Sequence, residues 1–230
     1  MIEPLIISAL LGAVLASFAI SLTEHPWSSL WRFSVCDGCG HPLKTKQLIP
    51  VFSSFLKTRC KCDYRPSLEY GTLEALLALV FFINTLIFGL TPLGILINAF
   101  AFVSFYISMV DWKTLHIPIC SLCLLTILGG LWSYVKGQIL MPVLVMFSGI
   151  IFFYFAWKLI KGTKPFGTAD ILLFTLSGFW ISLDLIPIFL FLAGLNGIIS
   201  FKLFKGTDRK FPFSPAILLS LWLTVLISMN

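Results

Sequence analysis

Charge is what this chain has least of. Only 11% of its 230 residues are Asp, Glu, Lys or Arg, against roughly 25% in a soluble domain, so an ordinary soluble globular protein is excluded. Histidine is also scarce. His25, His41 and His116 are scattered, which leaves no histidine pair to hold a hydrolytic metal beside an acid. Lys and Arg are absent from residues 1–20, where Glu3 stands. A secretory signal needs a basic start and a small-residue cleavage site, so this segment reads as a first transmembrane helix kept in the mature protein. Internal repeats, low-complexity tracts and a glycine-rich methyl-donor loop after a strand are likewise missing.

Apolar sequence fills the space. Hydrophobic residues make up 58% of the chain and the mean hydropathy is +0.99. At about 20 residues per span, the runs near 4–22, 72–90, 94–111, 117–135, 139–158, 168–183, 185–203 and 213–229 predict eight transmembrane helices, the sixth being short. Gly89–Pro92, Gly137–Pro142 and Gly162–Pro165 separate several of them. The expected fold is all-α, a polytopic helix bundle with a small loop domain. Its parts are a first helix (1–22), a cysteine-bearing loop domain (23–70) and a transmembrane bundle (71–230).

Basic residues in short loops stay on the cytoplasmic side. With both termini outside, Lys136 alone among the sixteen Lys and Arg falls on the outer face. The net charge of +6 thus follows from topology and from contact with anionic membrane lipids, and no nucleic acid is called for. Nothing in the sequence sets an oligomeric state.

The loop carries Cys36-Asp-Gly-Cys39 and Cys60-Lys-Cys62, separated by 20 residues. Two thiolate pairs across such a gap match a structural four-cysteine zinc site, in which the metal organises a loop too small for its own core. A cytoplasmic loop is also a poor place for disulfides. Because Cys60-Lys-Cys62 is one residue tighter than usual, His41 is an alternative ligand, and reduced free thiols or redox exchange are the other readings. Cys120 and Cys123 lie in an apolar run and read as packing.

Asp111 and Asp170 each stand at the edge of a long apolar stretch, and the topology brings both to the cytoplasmic interface. Acids there mark proton, ion or catalytic work. Two carboxylates a few ångströms apart cannot both ionise, so they share a proton; one form takes a proton from water while the other polarises a carbonyl. Separate snorkelling, or pairing with Lys113 or Lys164, is the structural alternative. Asp184, in an apolar run on the outer side, is the control. His116 reads as an interfacial side chain.

Taken in order, these pieces resemble a known family. Gly12-Ala-Val-Leu-Ala-Ser17-Phe18, Leu48-Ile-Pro50-Val-Phe-Ser53, the series Ser67, Tyr70, Glu74, Asp111 with Ile117-Pro118, Gly167-Thr-Ala169-Asp170 and Phe211-Pro-Phe-Ser-Pro215 are similar to motifs of the bacterial type IV prepilin peptidases, which are membrane aspartyl proteases. Ala169 replaces a Gly of the family's GxGD, and Ser214 one of its PFGP. The resemblance implies catalytic Asp111 and Asp170, supported by Pro118, Gly167 and Ala169, with no metal at the two acids. It further implies prepilin or pseudopilin substrates at the bacterial inner membrane, and a second activity that N-methylates the product from S-adenosylmethionine. Glu74 is then a residue of methyl transfer or an anchor for the loop. The rival readings are an ion-coupled transporter built on the two aspartates and a non-catalytic zinc-bearing scaffold for pilus assembly.

Overall fold

In hydrocarbon, backbone N–H and C=O groups have only one another as partners, so apolar runs of this length become helices. A computed structural model of the chain describes residues 2–24, 35, 36, 39–42, 49–51, 62, 68–138, 140–163, 166–203 and 211–228. In chain order its helices are α1 (Ile2–Glu24), α2 (Leu68–Phe88), α3 (Pro92–Thr114), α4 (Ile119–Lys136), α5 (Met141–Lys161), α6 (Thr168–Ser177), α7 (Ile186–Leu203) and α8 (Ser214–Ile227). A 3-10 turn, Leu183–Leu185, leads into α7, and no β-strand occurs among the described residues. α1 to α5 and the segment Leu183–Leu203 are long and apolar enough to cross a membrane. The protein is therefore an all-α, multi-pass membrane protein.

Gly137 and Gly162 end α4 and α5 in the left-handed conformation, at φ 63° and 68°, where a side chain would be strained. The sixth apolar run departs from expectation. Its helix stops at Ser177 rather than near residue 183, and ten residues span about 15 Å, half the hydrocarbon thickness. The chain turns there because Gly178 lies against backbone: a Cβ on it would sit 2.6 Å from Val143 N and Cα. Breaking a helix inside an apolar protein frees carbonyls that need donors. Ser133 Oγ on α4 donates to the freed Phe179 carbonyl at 2.7 Å.

The chain forms two compact units, Met1–Tyr106 and Ile107–Asn230, divided within α3. In the first, α1 lies along α2. Small residues on α1 (Gly12, Ala13, Ala16 and Ala19) are buried, which lets the two backbones approach closely. Ser8 Oγ donates to the Phe81 carbonyl at 3.1 Å and bonds the Thr85 hydroxyl. Asn84 Nδ2 donates to Asn98 Oδ1 at 3.0 Å, joining α2 to α3. At the opposite end of α1, the Tyr70 hydroxyl donates to Glu24.

In the second unit α7 packs on α8, with Asn196 Nδ2 donating to Ser220 Oγ at 2.9 Å. α4 and α5 both pack on α6. Gly197 of α7 leaves room for the Phe213 ring, since a Cβ there would lie 2.5 Å from Phe213 Cε2.

A Cβ at Gly12 would sit 2.8 Å from the Leu77 carbonyl oxygen and 2.9 Å from Phe81 Cβ. Gly12→Ala is thus expected to destabilise the protein by about 1–3 kcal/mol through overpacking, read as a fall in Tm of the detergent-solubilised protein. Gly130→Ala, with nothing within 4 Å of its Cβ, should leave Tm unchanged or slightly higher. Equal effects at the two positions would show that α1 and α2 are not in close contact.

Candidate functional site

Asp111 sits in the last turn of α3 and is only 6% exposed. Its backbone carbonyl accepts from Leu115 N–H at 2.9 Å, and Leu115 itself takes φ +55°, so the chain leaves the helix abruptly. Pro118 then caps α4 in an extended conformation, a position that suits a residue with no N–H to donate. Asp111 Oδ2 accepts from Ser214 N–H at 3.1 Å. Ser214 is the first residue of α8, and N–H groups in the first turn of a helix have no intrahelical partner. The carboxylate therefore meets both a vacant donor and the positive end of the helix dipole.

Asp170 is held in the same manner at α6. Gly167 is the N-cap, and Asp170, the third helical residue, turns back so that its Oδ2 accepts from Gly167 N–H at 3.1 Å. This is the acidic half of a capping box. Ala169 lies inside α6 and is not among the residues with positive φ. Its methyl group needs no backbone conformation reserved for glycine.

The two acids belong to one locality. Asp111 acts electrostatically on Asp170, and the segments that hold them touch through aromatic rings. Phe166, next to Gly167, stacks on Phe213, next to Ser214, with ring centroids 5.8 Å apart and planes inclined by 5°. Phe174 of α6 packs against both rings. His116, exposed, places Nδ1 2.6 Å from the Thr114 carbonyl and lies within electrostatic range of Asp111. Lys164 falls outside the described residues. Asp184, in the 3-10 turn that precedes α7, is exposed.

In the first unit, Cys36, Cys39 and Cys62 bring their Sγ atoms within 4.8 Å of one another. Backbone geometry supports the cluster. The Cys36 carbonyl accepts from Cys39 N–H at 3.3 Å and Gly40 N–H at 2.8 Å, and Cys36 N–H donates to the His41 carbonyl at 2.8 Å. Gly40 takes φ +68° to close this knuckle. Three convergent sulfurs suit a tetrahedral thiolate-binding ion such as zinc. His41 contributes its carbonyl to the knuckle, and the described clustering of ligand atoms consists of the three cysteines. Cys60 lies outside the described residues.

Glu74 is 5% exposed on α2. Its Oε2 accepts from the N–H of Val51, a residue at φ +66°, and Ser17 of α1 faces the same carboxylate. An acid inside the bundle thus ties down the loop segment 49–51. Cys120 and Cys123, which sequence reasoning set aside as packing, are exposed on α4.

Two partnerships were not legible from sequence. The Ser214 N–H on Asp111 and the Phe166 ring beside Asp170 came from no motif reading. The only signal for the first was Ser214's place in the Phe211–Pro215 element.

Family models match most of the chain. The "Bacterial Peptidase A24 N-terminal domain" matches residues 6–88, and the "Type IV leader peptidase family" matches residues 98–201. A prepilin leader peptidase/N-methyltransferase of Aeromonas hydrophila is 26% identical over 88% of this chain and 74% of its own length. Proteins of the same name are 28% identical in Aeromonas salmonicida, over 84% and 70%, and 24% identical in Pseudomonas putida, over 90% and 76%. No solved structure matches.

Since Ala169 is helical, Ala169→Gly is expected to lower stability by about 0.5–1 kcal/mol, measured as a drop in Tm. A rise would show that the alanine is strained where it stands.

Proposed function

The chain belongs to the type IV leader peptidase family, and from that premise we propose that it is an aspartic endopeptidase acting on prepilin or pseudopilin precursors. The observation that carries the reading is the pair of acids in one locality, each on a backbone N–H at a helix start. Water is the nucleophile. The ionised carboxylate takes a proton from it as its oxygen attacks the scissile carbonyl carbon, while the protonated carboxylate donates a hydrogen bond to the carbonyl oxygen. When the tetrahedral carbon collapses, the C–N bond breaks and the departing amine takes a proton from the dyad. No covalent bond to the enzyme forms. The Ser214 and Gly167 N–H groups hold one oxygen of each carboxylate through these steps, so the acids need no reorganisation as the proton moves.

Both acids stand at helix ends, Asp111 in the last turn of α3 and Asp170 in the first turn of α6. An ion-coupled transporter would favour acids at the bilayer midplane on discontinuous helices, so the peptidase reading is preferred. We place the protein in the bacterial inner membrane with both termini outside and the cysteine loop in the cytoplasm, following the distribution of Lys and Arg. An active site at that face reaches a peptide bond between a basic leader, retained inside, and the apolar helix that follows it.

The Cys36, Cys39 and Cys62 cluster fits a structural zinc, with Cys60 as the fourth ligand by resemblance. Bound there, the ion would tie together loop segments that lie far apart in sequence. The names of the relatives include N-methylation, and S-adenosylmethionine is the methyl source that the resemblance implies. Glu74 is engaged by Val51 and Ser17, so we read it as the anchor of the loop, and no methyl-transfer step is assigned to it.

With purified protein and a prepilin, Asp111→Ala and Asp170→Ala should each lower the cleavage rate at least about a thousandfold, while Asp184→Ala stays within about twofold of wild type. Cleavage at the normal rate by either dyad variant sinks the aspartyl mechanism. For the loop, metal analysis should find about one zinc per chain in the wild type and its loss in Cys36→Ser. A wild type free of metal removes the zinc site.

A further inference from the structure

Each catalytic carboxylate is held by an N–H whose neighbour in the chain carries a phenyl ring. Ser214 donates to Asp111 and follows Phe213; Gly167 donates to Asp170 and follows Phe166. These two rings are nearly parallel, at 5° and 5.8 Å. We propose that Phe166 and Phe213 are positioning residues whose stack sets the separation of the two aspartate carboxylates, an inference that rests on the aspartic peptidase reading above.

One side of the stack is fixed from several directions. Phe213 packs edge-on against Phe211 at 5.7 Å and lies against Phe174 at 5.9 Å. Its ring also occupies the space that Gly197 leaves open on α7. Phe174 in turn meets Phe189 at 5.9 Å, and Phe189 is fully buried. Phe166 joins this block by stacking on Phe213 and by contacts with Phe174 and with Phe153 of α5, both at 5.8 Å.

The consequence is mechanical. Asp170 is tied to Gly167 within three residues, so a shift of the Phe166 ring moves the N-cap and the carboxylate together. Asp111 is tied across a long sequence separation to Ser214, and a shift of Phe213 moves that donor. Sharing a proton demands a set distance between the acids, and misplacing a catalytic group by about 1 Å can cost about a hundredfold in rate. Parallel rings of this kind give geometry as well as apolar contact, because offset stacking has a preferred arrangement. Leucine supplies the apolar volume without the plane.

The test uses the full-length protein in detergent with a synthetic prepilin bearing a Lys/Arg-rich leader ahead of an apolar helix. Phe166→Leu, Phe213→Leu and the double variant are compared with Phe166→Tyr and with Phe152→Leu, a site that is 76% exposed. We expect kcat to fall about tenfold to a hundredfold in each single Leu variant, with KM within about twofold and an altered pH–kcat profile. The double variant should be no slower than the worse single one, since one stack is lost only once. Phe166→Tyr should recover most of the rate, and Phe152→Leu should match wild type.

Should Phe166→Leu fail to fold, Phe213→Leu and Phe166→Tyr carry the same comparison. Leu variants with wild-type kcat and pH profile, whatever their Tm, overturn the proposal, as do losses that multiply in the double variant. If the wild type cleaves and the Asp variants do not, that failure leaves the peptidase reading standing. A wild type that does not cleave removes both.

Discussion

A carboxylate surrounded by apolar sequence must find donors, and in this protein the donors are the first N–H groups of two helices. Asp111 takes the N–H that opens α8, and Asp170 takes the N–H at the cap of α6. Such groups have no partner in their own helix and stand at the positive end of its dipole, so they suit a carboxylate oxygen. Much of the second unit follows from bringing those two helix starts to one place. α6 is short, and its far end is closed by the backbone contact of Gly178 and the Ser133 hydroxyl. α8 begins where α7 offers a glycine to its leading phenylalanine. Aromatic rings fill the interval between the starts, where further polar groups would need donors of their own.

The first unit meets the same constraint with different means. Glu74 is as buried as Asp111, and its partner is a loop N–H at Val51, a residue held in a left-handed conformation. Strain of that kind persists where surrounding contacts over-determine it, and here the contact is the acid itself. A buried carboxyl group on a bundle helix thereby becomes the fastening of loop segment 49–51. The cysteine knuckle shapes a neighbouring part of that loop through backbone hydrogen bonds around Cys36 and a left-handed Gly40. Convergent ligands are a usual way to order a short stretch of chain.

Helix positions were legible because hydrocarbon leaves the backbone no alternative, so apolar length alone marked seven of the runs to within a few residues. The sixth was misjudged at its end. Apolar character continues past Ser177, and what stops the helix is the closeness of Gly178 to the backbone of α5, which local sequence does not record. Ala169 stands where the motif pattern has glycine, and the local conformation there is helical. Cys36, Cys39 and Cys62 were readable from spacing, and their sulfurs do converge.

By itself the sequence determined the apolar character of each segment and the helical class. These properties depend on composition and on neighbours a few residues away. Only the tertiary structure decided what holds each acid. Asp170 could have been guessed a partner three residues off, but Asp111 finds its donor 103 positions along the chain, and Phe166 stacks on Phe213, far beyond it in sequence. Those pairings exist because α8 and the α6 loop pack where α3 ends, and packing between distant helices is set by the shape of all the side chains at once.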